Sequence, residues 1–86
     1  MFLHLGSEVL VFQKDIIGIF DYNLIKKSRA TKEFMEIAAN EHLVIRGEED
    51  KKIKSFIVTS KKIYLSPISA DTLQKRVMSG NNNFFV

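Results

Sequence analysis

The sequence predicts an α+β domain: a mostly antiparallel sheet of about six short strands, one main helix and a short C-terminal helix. Three observations predict it. Short apolar runs rich in Ile, Val and Phe recur along the chain and are cut by Gly, Ser, Asn or Pro, the punctuation of strands and turns. One stretch, residues 29–41, carries helical spacing instead. The chain has 86 residues and no cysteine, enough for one domain with a small core, without disulfides or a thiolate metal site to brace it.

Phe2 to Leu5 and Glu8 to Phe12 read as two strands joined by a tight turn at Gly6-Ser7. Asp15 to Phe20 is the third strand, since β-branched residues favour extended backbone. Residues 21–28 form a polar connection. In residues 29–41, Phe34, Ile37, Ala38 and Glu41 fall at i, i+3, i+4 and i+7, and all but the last are apolar. Ser28 or Thr31 offers the hydroxyl of an N-cap. Leu43 to Ile45 is the fourth strand, with Gly47-Glu-Glu-Asp50 as a hairpin turn into the fifth, Lys52 to Thr59. Lys62 to Ser66 is the sixth, ended by Pro67, which has no N–H for a ladder. Ser69 caps a C-terminal helix of about ten residues, with Asp71 in its first turn. Gly80-Asn-Asn-Asn83 has the composition of a helix stop. The expected domain is residues 1–79, and residues 80–86 form a tail with the composition of disorder.

Two strands are apolar on both faces. Ile53 and Ile57 oppose Phe56 and Val58; Ile17 and Ile19 oppose Ile16 and Phe20. A sheet with one wet face alternates instead. Two helices on so small a sheet cover one face, so the other calls for a further layer or another subunit. A homo-oligomer is therefore expected. Phe84-Phe85-Val86 adds an apolar terminus that would dock on something.

Net charge is +3, from 13 basic and 10 acidic residues. The distribution says more than the total. Residues 22–32 hold Lys26, Lys27, Arg29 and Lys32 and no acid; residues 33–50 hold Glu33, Glu36, Glu41, Glu48, Glu49 and Asp50 against Arg46 alone. Lys51, Lys52, Lys54, Lys61 and Lys62 follow without an acid among them. Such blocks give a folded chain one basic and one acidic side, or simply two solvated faces. Read functionally, Lys51, Lys52 and Lys54 beside the turn and Lys26, Lys27 and Arg29 before the helix are candidate nucleic-acid-binding residues. With two tyrosines, a stacking platform for single strands is weakly supported, and contact with the phosphate backbone of double-stranded DNA fits better. RNA stays open, because charge does not distinguish nucleic acids.

The same residues argue against other classes. His4 alternates with apolar residues, and His42 stands at a helix end; neither has a partner spaced for catalysis or metal binding. Glu48-Glu-Asp50 lacks the alternating ligands of a calcium loop. The glycines are too scattered to cradle phosphate. No run approaches the ~20 apolar residues of a membrane span, and the N-terminal residues lack the basic and long apolar regions of a signal peptide. The expectation is a cytoplasmic non-enzyme with no cofactor, metal, membrane or small-molecule substrate.

The order of these pieces resembles the RemA/RemB family of bacterial extracellular-matrix (biofilm) regulators, and its RemB type most. The residues carrying the likeness are Phe2-Leu-His-Leu-Gly6, Asp15-Ile-Ile-Gly-Ile-Phe20, the helix from Ala30 to Ala38, Lys51-Lys-Ile-Lys54, Phe56-Ile-Val58, and Ile63-Tyr-Leu-Ser-Pro-Ile-Ser69 running into Thr72-Leu-Gln-Lys-Arg76. The resemblance implies a DNA-binding transcription regulator of biofilm-matrix genes, assembled as a ring of identical subunits. An alternative within the same fold is an oligomeric structural or adaptor protein with little DNA affinity that modulates a paralogous regulator. RemA-type members carry Arg-Arg-x-Arg where this chain has Lys51-Lys-Ile-Lys54, which keeps the charge and loses bidentate geometry. They also carry an arginine where this chain has Asp15, with Lys14 beside it as a further candidate contact. Ala30 replaces a proline and Glu33 an arginine. These exchanges imply weak to moderate DNA binding.

Overall fold

The computed structural model describes residues 1–6, 9–47 and 51–84. In chain order its elements are β1 (Phe2–His4), β2 (Leu10–Phe12), a 3-10 turn (Gln13–Asp15), β3 (Ile16–Asp21), α1 (Leu24–Lys27), α2 (Arg29–Asn40), β4 (Val44–Arg46), β5 (Ser55–Thr59), β6 (Ile63–Ser66) and α3 (Ala70–Phe84). The predicted α+β class is the one observed. β1 and β2 form a two-stranded sheet, and a four-stranded sheet runs in the order β3-β5-β6-β4. The pairings are antiparallel except that of β4 with β6, which is parallel.

That parallel pair corrects a sequence expectation. β4 is not the hairpin partner of β5; β6 lies between them, and β5 makes its hairpin with β6. The reason is burial. Phe56 and Ile57 are 2% and 0% exposed, so β5 is interior, held between β3 and its hairpin partner β6, which leaves β4 the free side of β6. Three-residue β4 has less to bury and takes the edge. The predicted turn at Glu48 to Asp50 lies outside the described residues.

The two helices also part company. Ile57 joins Leu3, Leu5, Val11 and Leu73 in one buried cluster, with Ile16, Ile19 and Tyr64 packed against it. Phe56 and Ile63 join Ala38 in a second, with Met35, Leu24, Ile25, Val58 and Leu65. The β1–β2 hairpin and α3 therefore cover one face of the four-stranded sheet, and α1 with α2 cover the other. The expectation that both helices share a face is wrong, because the hairpin supplies a layer of its own. Residues 21–28 are likewise more than a connection: α1 sits there, and its Leu24 and Ile25 pack inward.

Simple alternation places Ile17 with Ile19. The register of β3 against β5 instead slips between Ile16 and Gly18, a bulge that re-aims one side chain. Ile17 now lines a groove with Phe20 on the α2 side, while Ile16 and Ile19 pack on the hairpin side. At Gly18 an added Cβ would meet the Phe20 ring at 2.6 Å. Glycine lets that ring lie back over the strand, stacked on Phe56 with centroids 5.2 Å apart.

The helix caps follow the sequence. Ser28 Oγ accepts from the Thr31 N–H at 3.2 Å, and Ser69 Oγ from the Thr72 N–H at 3.2 Å. α3 runs past the predicted stop to Phe84; glycine inside a helix costs only about 1 kcal/mol, which does not force an end. Two buried serines join the layers. Ser66 Oγ donates to the Leu5 carbonyl at 2.7 Å and accepts from the Ile68 N–H at 3.0 Å, while Ser55 Oγ donates to the Ile68 carbonyl at 2.6 Å.

Candidate nucleic-acid interface

The register of β3 and β5 defines two ends of the sheet. Asp21 lies opposite Ser55 at one end, and Ile16 opposite Thr59 at the other, about 13 Å away at the usual strand rise. Lys51, Lys52 and Lys54 lead into β5 at the first end. The backbone of Lys54 is held on both sides: its N–H donates to the Ser66 carbonyl and its carbonyl accepts from the Tyr22 N–H, at 2.9 and 3.0 Å. The second bond brings the β3–α1 connection alongside. Lys52, Lys54, Asp21, Asn23 and Ser69 line a polar cleft of about 230 Å³ there.

Lys26 and Lys27 close the single turn of α1 just beyond Asn23, and Arg29 opens α2. The fold thus gathers Lys26, Lys27, Lys51, Lys52 and Lys54, all exposed, at one end of the sheet, from two segments separated in sequence. Among the described residues Asp21 is the acid beside them, and its carboxylate accepts from the Asn23 N–H at 2.8 Å, so it shapes the start of α1. Arg29 also lies in this region, but its Nε is 3.5 Å from Glu33 Oε1. That pair is highly exposed and contributes little stability, yet it offsets part of the charge Arg29 would offer a phosphate.

Lys14 is not brought to this cluster. It sits in the 3-10 turn at the opposite end, with Nζ 5.4 Å from the centroid of the Phe12 ring. Asp15 is there too, so the carboxylate set against phosphate in the sequence comparison stands away from Lys51 to Lys54. Lys61 and Lys62, in the β5–β6 turn, share the far end with Lys14: the Ser60 N–H donates to the Asp15 carbonyl at 3.0 Å. Charge alone marks these two lysines in the sequence; only the β3–β5 register tells which end they occupy.

A second surface that sequence reasoning did not localise is apolar. On the α2 side Ile17 is 71%, Ile37 63% and Phe34 45% exposed. Between β3, β5, α1 and α2 lies a groove of about 330 Å³ lined by Ile17, Phe20, Leu24, Phe34, Phe56 and Val58. Of the helical stripe Phe34, Ile37 and Ala38, Ala38 alone is buried. Among the described residues no helix is long and apolar enough to cross a membrane.

A family model described as RemA-like, extracellular matrix regulatory protein A-like, matches residues 2–77. This chain belongs to the RemA-like family. Extracellular matrix regulatory protein B of Bacillus subtilis (strain 168) is similar to it, 38% identical over 76 residues, which cover 88% of this chain and 89% of that protein. The RemA-like match begins at β1, takes in both basic segments, and ends within α3.

Proposed function

We propose that this RemA-like chain is a DNA-binding transcriptional regulator of extracellular-matrix genes, working in the cytoplasm as a ring-like homo-oligomer. The observation that carries the reading is the gathering of Lys26, Lys27, Lys51, Lys52 and Lys54 at one end of the sheet. Each lysine offers a point charge to a phosphate, and each phosphate neutralised on a duplex releases counterions. Copies in a ring repeat the cluster, so weak contacts sum through multivalency. The apolar face around Ile17, Phe34 and Ile37 supports self-assembly, because patches of this kind mark protein contact surfaces. The matched family and the Bacillus subtilis relative both carry the names of extracellular matrix regulatory proteins, and the reading takes this chain as a regulator without enzymatic chemistry or cofactor.

A gel-shift series at two salt concentrations tests it, with size measured in solution. The wild type should bind duplexes of unrelated sequence and lose affinity steeply as salt rises. Changing Lys51 and Lys52 together to Ala should weaken binding to every duplex and leave the assembled mass unchanged. No shift at low salt would favour the second reading, an oligomeric adaptor of the same fold that modulates a paralogous regulator. The Arg29–Glu33 pair and lysines in place of guanidinium forks are the features that favour that reading.

A further inference from the structure

The far end of the sheet carries a different kind of surface. On the outer side of the hairpin, Phe2 and Phe12 are cross-strand partners whose rings stack with centroids 4.2 Å apart. Burial does not account for them: they are 52% and 43% exposed. They line a cleft of about 260 Å³ together with Tyr64, Asp15, Ser60 and Lys61. The cleft is held from both sides. The Ser60 N–H donates to the Asp15 carbonyl at 3.0 Å. Thr59 Oγ1 fixes the lysine turn, accepting from the Lys61 and Lys62 N–H groups at 3.3 and 3.0 Å and donating to the Lys62 carbonyl at 2.7 Å. Lys61 lines the cleft, Lys14 Nζ lies 5.4 Å from the centroid of the Phe12 ring, and Lys62 follows Lys61 in the same turn; among the described residues none of the three has a carboxylate within ion-pair distance.

An exposed aromatic wall beside cationic side chains is the chemistry that holds an unpaired nucleotide. A base stacks on the aromatic surface and its phosphate meets the lysines. We propose that this cleft binds single-stranded nucleic acid, one base against the Phe2–Phe12 pair and the flanking phosphates on Lys14, Lys61 and Lys62. Asp15 then has a role. Asp15 lines the cleft, and a carboxylate there would accept from the 4-amino group of cytosine where thymine presents a carbonyl oxygen, favouring cytosine. The site lies at the opposite end of the sheet from Lys51 to Lys54, and it does not depend on the duplex-binding reading.

The test is fluorescence anisotropy with labelled single strands of about 12 nucleotides, namely oligo-dC, oligo-dT and oligo-rC, alongside a blunt duplex. Phe2→Ala and Phe12→Ala should each weaken oligo-dC binding about tenfold and change duplex binding less than about twofold, with circular dichroism and assembled mass as in the wild type. Lys51→Ala with Lys52→Ala should do the reverse. Asp15→Asn should erase the dC-over-dT preference, and the oligo-rC arm shows whether a DNA or an RNA strand is the better ligand. No single-strand binding by the wild type, or equal loss of duplex and single-strand binding in the phenylalanine variants, would overturn the proposal. A fall in assembled mass with single-strand binding intact would overturn it too, assigning the aromatic pair to a contact between copies.

Discussion

The two faces of the four-stranded sheet are covered to different degrees. On the hairpin side Leu3, Leu5, Val11, Ile57 and Leu73 are all 6% exposed or less, and Ser66 ties the layers by donating to the Leu5 carbonyl, far away in sequence. On the α2 side Phe56 and Ile63 are buried, but Ile17, Phe34 and Ile37 stand largely in solvent. One face is closed by the chain itself. The other is closed only where α1 and α2 reach, and a groove remains between them and β3. The hairpin face holds the fold together, then, while the α2 face keeps exposed apolar side chains and an open groove.

Leu73→Ala probes this contrast most strongly. Leu73 is fully buried between α3 and the hairpin, and truncating such a leucine costs about 2–5 kcal/mol. Denaturant unfolding should show that loss. A cost below about 1 kcal/mol would mean the hairpin face is less closed than its burial indicates. Ser66→Ala comes next. It leaves the Leu5 carbonyl and the Ile68 N–H without the partner they have now, and such a loss inside a protein costs about 1–3 kcal/mol. Unfolding of this variant should start from a lower midpoint with an unchanged denaturant slope.

The α2 face should respond in the opposite way. Ile17→Lys combined with Ile37→Lys replaces two exposed side chains, so the stability of one chain should move by about 0.5 kcal/mol or less. Light scattering, by contrast, should show the assembly broken down towards the mass of one chain, 9.9 kDa. If the double variant keeps the wild-type mass, copies do not meet through this face.

How much of this was legible in the sequence follows physical lines. Local signals survived: the caps at Ser28 and Ser69, the helix of residues 29–40, and the strands β5 and β6 are each written within a few residues. Facts that depend on distant pairing did not. β4 joins β6 in parallel at the edge opposite β3, and no local pattern encodes that choice. The bulge at Ile17 shifts side chains by one position, which strict alternation cannot foresee. Lys26, Lys27, Lys51, Lys52 and Lys54 were identifiable as a set by charge, and the β3–β5 register brings their two segments to one end. The same register sends Lys14 and Asp15 away. The Phe2–Phe12 pair was missed because each residue reads alone as core in a short strand, and only the antiparallel pairing turns both rings outward together.

The smallest effect concerns the end of α2, on the less covered face. Two residues beyond the helix, His42 has φ of 59°, in the left-handed region where helices often end on glycine. A side chain with a Cβ is strained there by about 1 kcal/mol, and the exposed His42 makes up for little of this through packing. His42→Gly removes the strain but adds freedom to the unfolded chain, so a net gain of about 0.5 kcal/mol is expected, read as a modest rise in unfolding midpoint. Duplex binding should not change, since His42 follows the far end of α2 from Arg29 and lies away from the lysine cluster. His42→Ala keeps the Cβ and should bring no such gain. If both substitutions stabilise equally, backbone strain is not the cause. If His42→Gly alters DNA binding while the mass stays the same, the interface reaches further along the α2 face than Lys26 to Arg29.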